Sequence, residues 1–128
     1  MRKFILAIFV FIFLAPCAPS FAENISSADQ RALALSLRFS VSRLPPDSAK
    51  EKEALYLRIM DECPDTPEAE EAYWELSNLY LDEFEEPKEK EAVAVLEKFL
   101  EKYDTARLSS PWVAHVRSRL KWLGGEIE

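Results

Sequence analysis

Glycine, cysteine and histidine are scarce in this sequence. Its 128 residues include two glycines, two cysteines and one histidine. The glycines are adjacent at Gly124-Gly125, no Asn-Gly or Asp-Gly pair occurs, and no segment alternates apolar and polar side chains, so β-hairpins and strands lack their usual signals. A glycine-rich phosphate loop is excluded as well. One histidine and two cysteines are too few for a structural zinc site. We therefore expect an all-α chain with no metal and no cofactor.

The first residues have the layout of a secretory signal peptide. Arg2 and Lys3 precede an apolar run over residues 4–15, and the small residues Ser20 and Ala22 flank a candidate cleavage point. A charged start, an apolar centre and a small-residue exit are the three parts of a cleavable export signal. We predict that residues 1–22 are removed and that residues 23–128 form one helical domain, exported to the bacterial periplasm.

Two alternatives concern the same segment. An uncleaved anchor would need about 20 apolar residues to cross a bilayer, and the apolar run is shorter. The sequence Leu14-Ala15-Pro16-Cys17 also resembles the lipobox of bacterial lipoproteins, although proline replaces the small residue that usually precedes the cysteine. Lipidation at Cys17 would anchor the protein in the outer membrane, and it is the one route by which we expect a membrane contact.

Acidic residues outnumber basic ones. The whole chain carries 16 Lys and Arg against 23 Asp and Glu, and loss of Arg2 and Lys3 with the signal would leave 14 against 23, a net charge of −9. Such a surface repels nucleic acid and anionic lipid headgroups, so we expect a protein partner instead. Cleavage would also remove Cys17 and leave Cys63 without a disulfide partner, so we expect Cys63 to be a small buried apolar side chain.

Five segments have the three- and four-residue spacing of amphipathic helices. We predict helices from Ser27 to Leu44, from Asp47 to Glu62, from Thr66 to Phe84, from Lys88 to Tyr103 and from Ser110 to Leu123. Each of the four connections has a proline within it or at the first position of the helix that follows. Gly124-Gly125 would end the last helix, since glycine readily takes the left-handed conformation beyond a final turn.

The first and second helices are predicted from caps and stripes. Ser27 and Gln30 have the spacing of a capping box, and Asp47 is a candidate cap for the second helix. The first helix would bury one stripe, with a second set of apolar residues widening it: Ala28, Ala32, Leu35 and Phe39, then Leu33, Leu37 and Val41. The second helix would turn five residues inward: Leu55, Tyr56, Ile59, Met60 and Cys63.

The third helix has the clearest start. Thr66 is a good N-cap, Pro67 fits the first helical position, and Glu68 is among the acids that the helix dipole favours in the opening turns. One face carries the apolar side chains Ala69, Ala72, Tyr73, Leu76, Leu79, Tyr80 and Phe84. The remainder is largely acidic, so this helix should bury one side only.

Pairs of helices resemble one another along the chain. The second and fourth match at an offset of 40 residues, with Ile59 on Phe99 and Cys63 on Tyr103, and the first and third match at 41. Self-similarity at such a period across two helices is typical of stacked helix hairpins. A generic amphipathic bundle would also align apolar positions, but it does not account for the aligned Ser36 and Ser77.

The repeat is accompanied by a family resemblance, which rests on residues 63–80, CPDTPEAEEAYWELSNLY. The chain resembles the tetratricopeptide repeat (TPR), and within it the exported bacterial branch that includes the Tol-Pal coordinator and the outer-membrane assembly lipoprotein. The family's first-helix pattern falls on Tyr73, Leu76, Ser77 and Tyr80. The sequence departs from the family pattern at five points. Ser77 and Phe99 occupy two positions where a small residue is usual, and Asp104 stands where proline is usual. The turn before the fourth helix is longer, and Lys52 replaces an alanine.

The resemblance implies a short α-solenoid that binds a partner segment in a concave groove. In that family, the first helix of each unit lines the groove beside its packing positions. Carried onto this sequence, the partner-binding residues would be Trp74, Asn78, Leu81 and Asp82, with Leu33, Leu37 and Val41 as weaker counterparts. Trp74 would be the main anchor, although it could equally pack on a neighbouring helix. The fifth helix would serve as the solubilising cap.

No catalytic constellation is evident in the sequence. His115 is the one histidine, and adjacent acids such as Glu70 and Glu71 point apart on a helix. We therefore predict a non-catalytic interaction adaptor of the cell envelope. Two alternatives stay open: a carrier that holds an apolar small molecule among Phe39, Tyr56 and Trp112, and a structural subunit of a larger complex.

Overall fold

The computed structural model of the chain describes residues 26–105 and 110–124, and this part is all-helical, without a β-strand. The predicted signal peptide, Cys17 and Gly125 lie outside it. None of the described helices is both long and apolar enough to cross a membrane. The five helices are α1 (Ser27–Ser42), α2 (Ala49–Glu62), α3 (Pro67–Asp82), α4 (Glu89–Tyr103) and α5 (Val113–Leu123).

The start of α3 is as predicted. Thr66 is the N-cap and Pro67 the first helical residue, and the Thr66 hydroxyl accepts a hydrogen bond from Ala69 N at 3.2 Å. The same hydroxyl donates to the carbonyl of Cys63 at 2.7 Å. One side chain therefore ties the end of α2 to the start of α3 and satisfies a free backbone N–H.

Three other helix starts differ from the predictions. Helix α1 is capped by Ser26, whose hydroxyl accepts from Asp29 N at 3.2 Å, so the capping box predicted at Ser27 is wrong by one residue. Helix α2 follows Ser48 rather than an Asp47 cap. Helix α5 begins after Trp112, because the Ser110 hydroxyl accepts from Trp112 N and closes a turn before the helix. The end of α5 is as predicted: Gly124 has a φ of 78°.

Successive helices pack against each other, and α1 also contacts α3. The starts of α1 and α3 lie together, since Gln30 Oε1 accepts a hydrogen bond from Asp65 N at 3.1 Å and Arg31 forms an ion pair with Glu68 at 2.8 Å. Arg38 forms a second ion pair, with Glu71. Helices α1 and α3 therefore run in the same direction.

Helices α2 and α4 run opposite to α3. Lys52 near the start of α2 pairs with Glu83 just beyond the end of α3 at 2.7 Å. At the other end, the Tyr103 ring that closes α4 lies edge-on to Tyr73, with centroids 5.8 Å apart. Each connection thus reverses the chain, and α3 lies between α2 and α4.

Helix α3 supplies buried side chains to all three clusters of the core. Ala69 and Ala72 pack with α1 and α2, Tyr73 packs with α4 and α5, and Leu76 and Leu79 pack with α4. The most deeply buried large side chains include Phe99, Ile59, Leu76, Leu79, Leu96 and Leu120. Because every cluster uses α3, this helix organises the whole described domain.

The inward stripe predicted for α1 is wrong. Phe39 is 62% exposed and Leu35 is 47% exposed, whereas Ala34, Leu37 and Val41 form the buried face. Apolar residues lie on most sides of this helix, so spacing alone did not determine which side would meet α2 and α3.

Because the buried face of α1 differs from the predicted one, the alignment of α1 with α3 changes as well. The buried Ala34, Leu37 and Val41 correspond to the buried Tyr73, Leu76 and Tyr80, each 39 positions further on, instead of 41. The serines that the sequence aligned differ, since Ser36 is exposed and Ser77 is fully buried. For α2 and α4, the offset of 40 does pair buried residues: Ile59 with Phe99, and Cys63 with Tyr103.

Candidate functional site: a tryptophan cleft between the third and fifth helices

An open cleft of about 710 Å³ lies between α3 and α5. We call it the Trp74 cleft. Its walls come from the end of α3, the start of α4 and one face of α5: Trp74, Leu81, Asp82, Pro87, Glu89, His115, Ser118, Arg119 and Trp122. All three tryptophans of the chain lie in this region, since Trp112 packs directly on Trp74.

The α5 wall follows from the spacing of its sequence. Trp112, His115, Arg119 and Trp122 recur at three- and four-residue steps and so share a side of the helix. Val116 and Leu120 are fully buried against Tyr73 and the α4 residues of the core. The core therefore fixes the rotation of α5, and that rotation turns the aromatic and basic side chains toward α3.

Trp74 is the centre of the site. Its ring centroid lies 5.7 Å from that of Trp112 and 6.1 Å from that of His115, and the guanidinium carbon of Arg119 lies 3.9 Å from it. The side chain is half-buried and lines the cleft. Both predicted placements of Trp74 are thus combined, because the indole packs on a neighbouring helix and still presents surface to the cleft.

Arg119 is held by neutral oxygens. Its Nη1 donates to Ser77 Oγ at 3.1 Å and to Asn78 Oδ1, and Ser77 Oγ in turn donates to the carbonyl of Trp74 at 2.7 Å. Of the ion pairs that the described side chains form with one another, none includes Arg119. Burial lowers the pKa of its guanidinium, and the nearby charges of Asp82 and Glu75 oppose that shift.

Three of the four groove residues predicted on α3 line the cleft: Trp74, Leu81 and Asp82. Asn78 lies beside them, but its side-chain oxygen accepts from Arg119. The predicted groove residues on α1 are placed differently. Leu37 is 5% exposed and belongs to the core, and Leu33 packs against the same cluster, because α1 turns this face toward α2 and α3.

Sequence reasoning missed the α5 half of the site: His115, Ser118, Arg119 and Trp122. The sequence assigned these residues only to a solubilising cap, and Trp122 is 80% exposed. The signal that could have found them is the 3-4-3 spacing of Trp112, His115, Arg119 and Trp122, which puts three rings and one cation on a single side of a short helix.

The chemistry of the cleft suits binding. Trp74, Leu81 and Trp122 offer apolar surface, while the Nε and Nη2 donors of Arg119 are not engaged by the described side chains. Asp82 and Glu89 place two carboxylates at the rim. A ligand bound in the cleft would contact these aromatic rings and accept one or two charge-assisted hydrogen bonds from Arg119.

A smaller cleft of about 230 Å³ lies between α1, α2 and α3. Arg38, Tyr56, Glu71 and Glu75 are among its lining residues. Burial raises the pKa of the Glu75 carboxyl, and repulsion from Glu71 adds to that rise, while Arg38 and Arg119 oppose it. Charged side chains thus share this second cleft with apolar ones such as Val41 and Ile59.

The structure does not bring together the three aromatic residues considered for an apolar carrier. Phe39 is exposed on α1 with the Arg43 guanidinium 5.6 Å from its ring centroid. Tyr56 packs in the clusters around Ile59 and Leu76, and Trp112 packs against the cluster around Phe99. A common apolar cavity among these three residues is therefore not formed.

Titratable groups elsewhere are dispersed. Cys63 is a free thiol with no exposed surface, as predicted, and burial raises its pKa. In the residues that the structure describes, no group of three or more His, Cys, Asp and Glu side chains has the spacing to hold a metal ion.

No protein-family model, curated protein or solved structure matches this chain. The TPR resemblance therefore stays a prediction from sequence, and the geometry of the Trp74 cleft is what supports a function.

Proposed function

We propose that the chain is a non-catalytic, TPR-like adaptor of the bacterial cell envelope, which binds an extended segment of a partner protein in the Trp74 cleft. The observation that carries this proposal is that Trp74, Trp122 and Arg119, whose Nε and Nη2 are not engaged by the described side chains, converge on one open cleft. Tryptophan and arginine are the residues that most often dominate protein interfaces.

The layout of the helices supports the repeat part of the proposal. Trp74 lies beside Trp112, and Asn78 bonds Arg119 further along both helices, so α5 runs in the same direction as α3. Helices α1, α3 and α5 are then parallel, as the first helices of stacked hairpins are. The cleft lies between two such helices, where the resemblance expects a groove.

An extended segment fits the shape of the cleft better than an enclosed ligand does. The cleft is open along its length, with Trp74 and Trp122 as surfaces for apolar or planar side chains. Arg119 can donate through Nε and Nη2 to a backbone carbonyl or a carboxylate of the segment. Asp82 and Glu89 at the rim favour a basic residue beside that contact.

A photo-crosslinking residue at Ser118 tests the cleft in the cell. Ser118 is exposed and lines the cleft, so its replacement should give a discrete adduct with one envelope protein. The same residue at Leu57, which is 44% exposed on α2, is the matched control and should not give that adduct. Equal adducts from both positions would contradict the assignment of the cleft.

Affinity measurements with the captured partner give the second test. Trp74→Ala should weaken binding by about 2 kcal/mol, the scale of an interface hot spot. Because Trp74 also packs on α5, Trp122→Ala should be measured beside it, since a side chain 80% exposed can be truncated without loss of core packing. Binding that is unchanged by both Trp122→Ala and Trp74→Ala would exclude the cleft as the binding site.

The proposed compartment has its own measurement. Intact mass of the accumulated protein distinguishes cleavage after Ala22 from lipidation at Cys17, because the two products differ by residues 17–22 and by the acyl chains. A mass that includes residues 1–22 would contradict both forms of export.

A further inference from the structure

An apolar stripe on the outer side of α1 is left uncovered by the described helices. Ala28, Ala32, Leu35 and Phe39 are all exposed, and the last two are among the most exposed large apolar side chains in the described chain. We call these four residues the α1 stripe. It lies nearly opposite the buried face of the helix, so neither α2 nor α3 can reach it.

The spacing of the stripe is that of a helix seam. Its residues follow one another at intervals of four, three and four, the repeat by which two helices interlock side chains along a shared line. A polar outer face is what an end helix needs for solubility. The α1 stripe is instead apolar on the outer face of the first helix.

The order of side-chain sizes identifies the second helix. The first half of the stripe is small, with Ala28 and Ala32, and the second half is large, with Leu35 and Phe39. If two copies of α1 pack antiparallel, Phe39 of one copy lies opposite Ala28 of the other, and Leu35 opposite Ala32. Every layer then joins one large side chain to one small one, and packing is even along the seam.

A parallel pair lacks this match. Phe39 would face Phe39 at one end and Ala28 would face Ala28 at the other, which crowds one layer and leaves a gap in the next. Only the antiparallel arrangement places a large side chain opposite a small one in every layer, and a two-fold axis perpendicular to the helices generates it.

The charges beside the stripe permit the pairing. Arg31 and Arg38 flank one edge, and each is already paired with a carboxylate of α3, Glu68 and Glu71 respectively. Asp29 and Ser36 flank the other edge and come opposite each other in the antiparallel register. The seam therefore brings no uncompensated like charges together.

We propose that the α1 stripe is a homodimer interface, in which α1 of one chain packs antiparallel on α1 of a second copy about a two-fold axis. The seam from Ala28 to Phe39 is about three helical turns long, which is small for a protein interface, so the dissociation constant of the dimer should lie in the micromolar range. The Trp74 cleft lies on α3 and α5, away from this surface, so two clefts remain available in each dimer.

An exchange of side chains tests this arrangement. Sedimentation equilibrium of the protein, purified in the form that the cell accumulates, should give a monomer–dimer equilibrium. Phe39→Ala and Ala28→Phe should each raise the dissociation constant about tenfold or more, since the first empties a layer and the second overfills it. The double variant Ala28→Phe/Phe39→Ala restores one large and one small side chain to that layer, and its dissociation constant should return to within about threefold of the wild type.

The outcomes distinguish this interface from association through a different surface. Both positions are exposed, so circular dichroism melting should be little changed, and Leu57→Ala on α2 serves as the control that leaves dimerisation unchanged. A monomer at all concentrations would overturn the proposal, as would a dimer insensitive to both single substitutions. Single variants that weaken association without rescue by the exchange would also overturn it, because positions 28 and 39 would then not pack against each other in one layer.

Discussion

The guanidinium carbon of Arg119 lies 3.9 Å from the centroid of the Trp74 ring. The same guanidinium donates to the Ser77 hydroxyl and the Asn78 amide oxygen, so a single side chain of α5 contacts a full turn of α3. Cation–π contact and the two hydrogen bonds hold the indole and the guanidinium in one orientation. The side chains that line the cleft are thus held in one arrangement, and under the proposed function this order would lower the entropic cost of binding a partner.

Replacing Arg119 should measure how strongly it holds α5 on α3. Arg119→Met keeps most of the aliphatic stem but removes the charge and both hydrogen bonds, so we expect a loss of about 1–2 kcal/mol in the free energy of unfolding. Urea denaturation of the variant gives the value. Lys121→Met, an exposed basic residue on the same helix, is the control and should be near neutral. Equal effects of the two substitutions would contradict the role of the Trp74 contact.

Helix α3 was predictable because its signals are local. The cap, the proline and the acidic first turn at residues 66–71 are read from consecutive residues, and the apolar face is used almost completely by the neighbouring helices. Three of its predicted groove residues also line the cleft. In α3 tertiary packing did not override these local signals, whereas the caps predicted from adjacent residues at Ser27 and Asp47 are not the ones the structure uses.

The caps of α2 and α3 differ enough to predict mutational effects of different size. Thr66→Ala removes the bond from Ala69 N and the bond to the Cys63 carbonyl, and should lower the free energy of unfolding by about 1–2 kcal/mol. Ser48 precedes α2 without a side-chain cap bond, so Ser48→Ala should change stability by less than about 0.5 kcal/mol. Thermal or urea unfolding of both variants tests the pair. A Ser48→Ala cost as large as that of Thr66→Ala would show that capping is not the cause.

The buried face of α1 and the side of α5 that lines the Trp74 cleft could not be predicted from the sequence. The physical reason is the same for both helices. Each helix has side chains on more than one side that a core would accept, and the choice depends on neighbours distant in sequence. In α1, burial of Ala34, Leu37 and Val41 against α2 and α3 sets the rotation, and the exposed Arg31 and Arg38 then pair with carboxylates of α3. In α5, burial of Val116 and Leu120 turns Arg119 toward α3.

Glu75 should make stability depend on pH in the acidic range. Burial, followed by the charge of Glu71, raises the pKa of its carboxyl above the ordinary value of 4.5, so the folded chain holds the proton more tightly than the unfolded chain. This contribution to stability is complete below pH 4.5 and is lost as the pH rises through the raised pKa of the folded state. Ionised Glu75 is therefore destabilising at neutral pH.

Glu75→Gln removes that ionisation. The variant should be more stable than the wild type at neutral pH, and the difference should shrink as the pH falls toward the ordinary pKa of glutamate. Chemical denaturation at a series of pH values measures it, with Glu101→Gln on the exposed side of α4 as the control. A difference that stays constant with pH, or a variant less stable at neutral pH, would be inconsistent with a raised pKa at Glu75.

The tyrosines predict the alkaline behaviour of the fold. All four have a raised pKa, and burial is the first cause at each. The pKa of Tyr56 rises to about 12, with repulsion from Glu75 and Glu83 adding to burial. Burial also raises the pKa of Tyr73, Tyr80 and Tyr103, and the Glu53 hydrogen bond adds to the rise at Tyr80. The folded state thus favours the neutral phenols, and this stabilisation is complete below pH 10.0 and is lost as the pH rises through the folded pKa values.

Near-ultraviolet absorbance should detect almost no tyrosinate at pH 10.0 while circular dichroism remains native, and ionisation should coincide with unfolding above that pH. In urea the same chain should be half-ionised near pH 10.0. Substantial tyrosinate in the folded chain at that pH would mean that at least one of these rings is in contact with solvent.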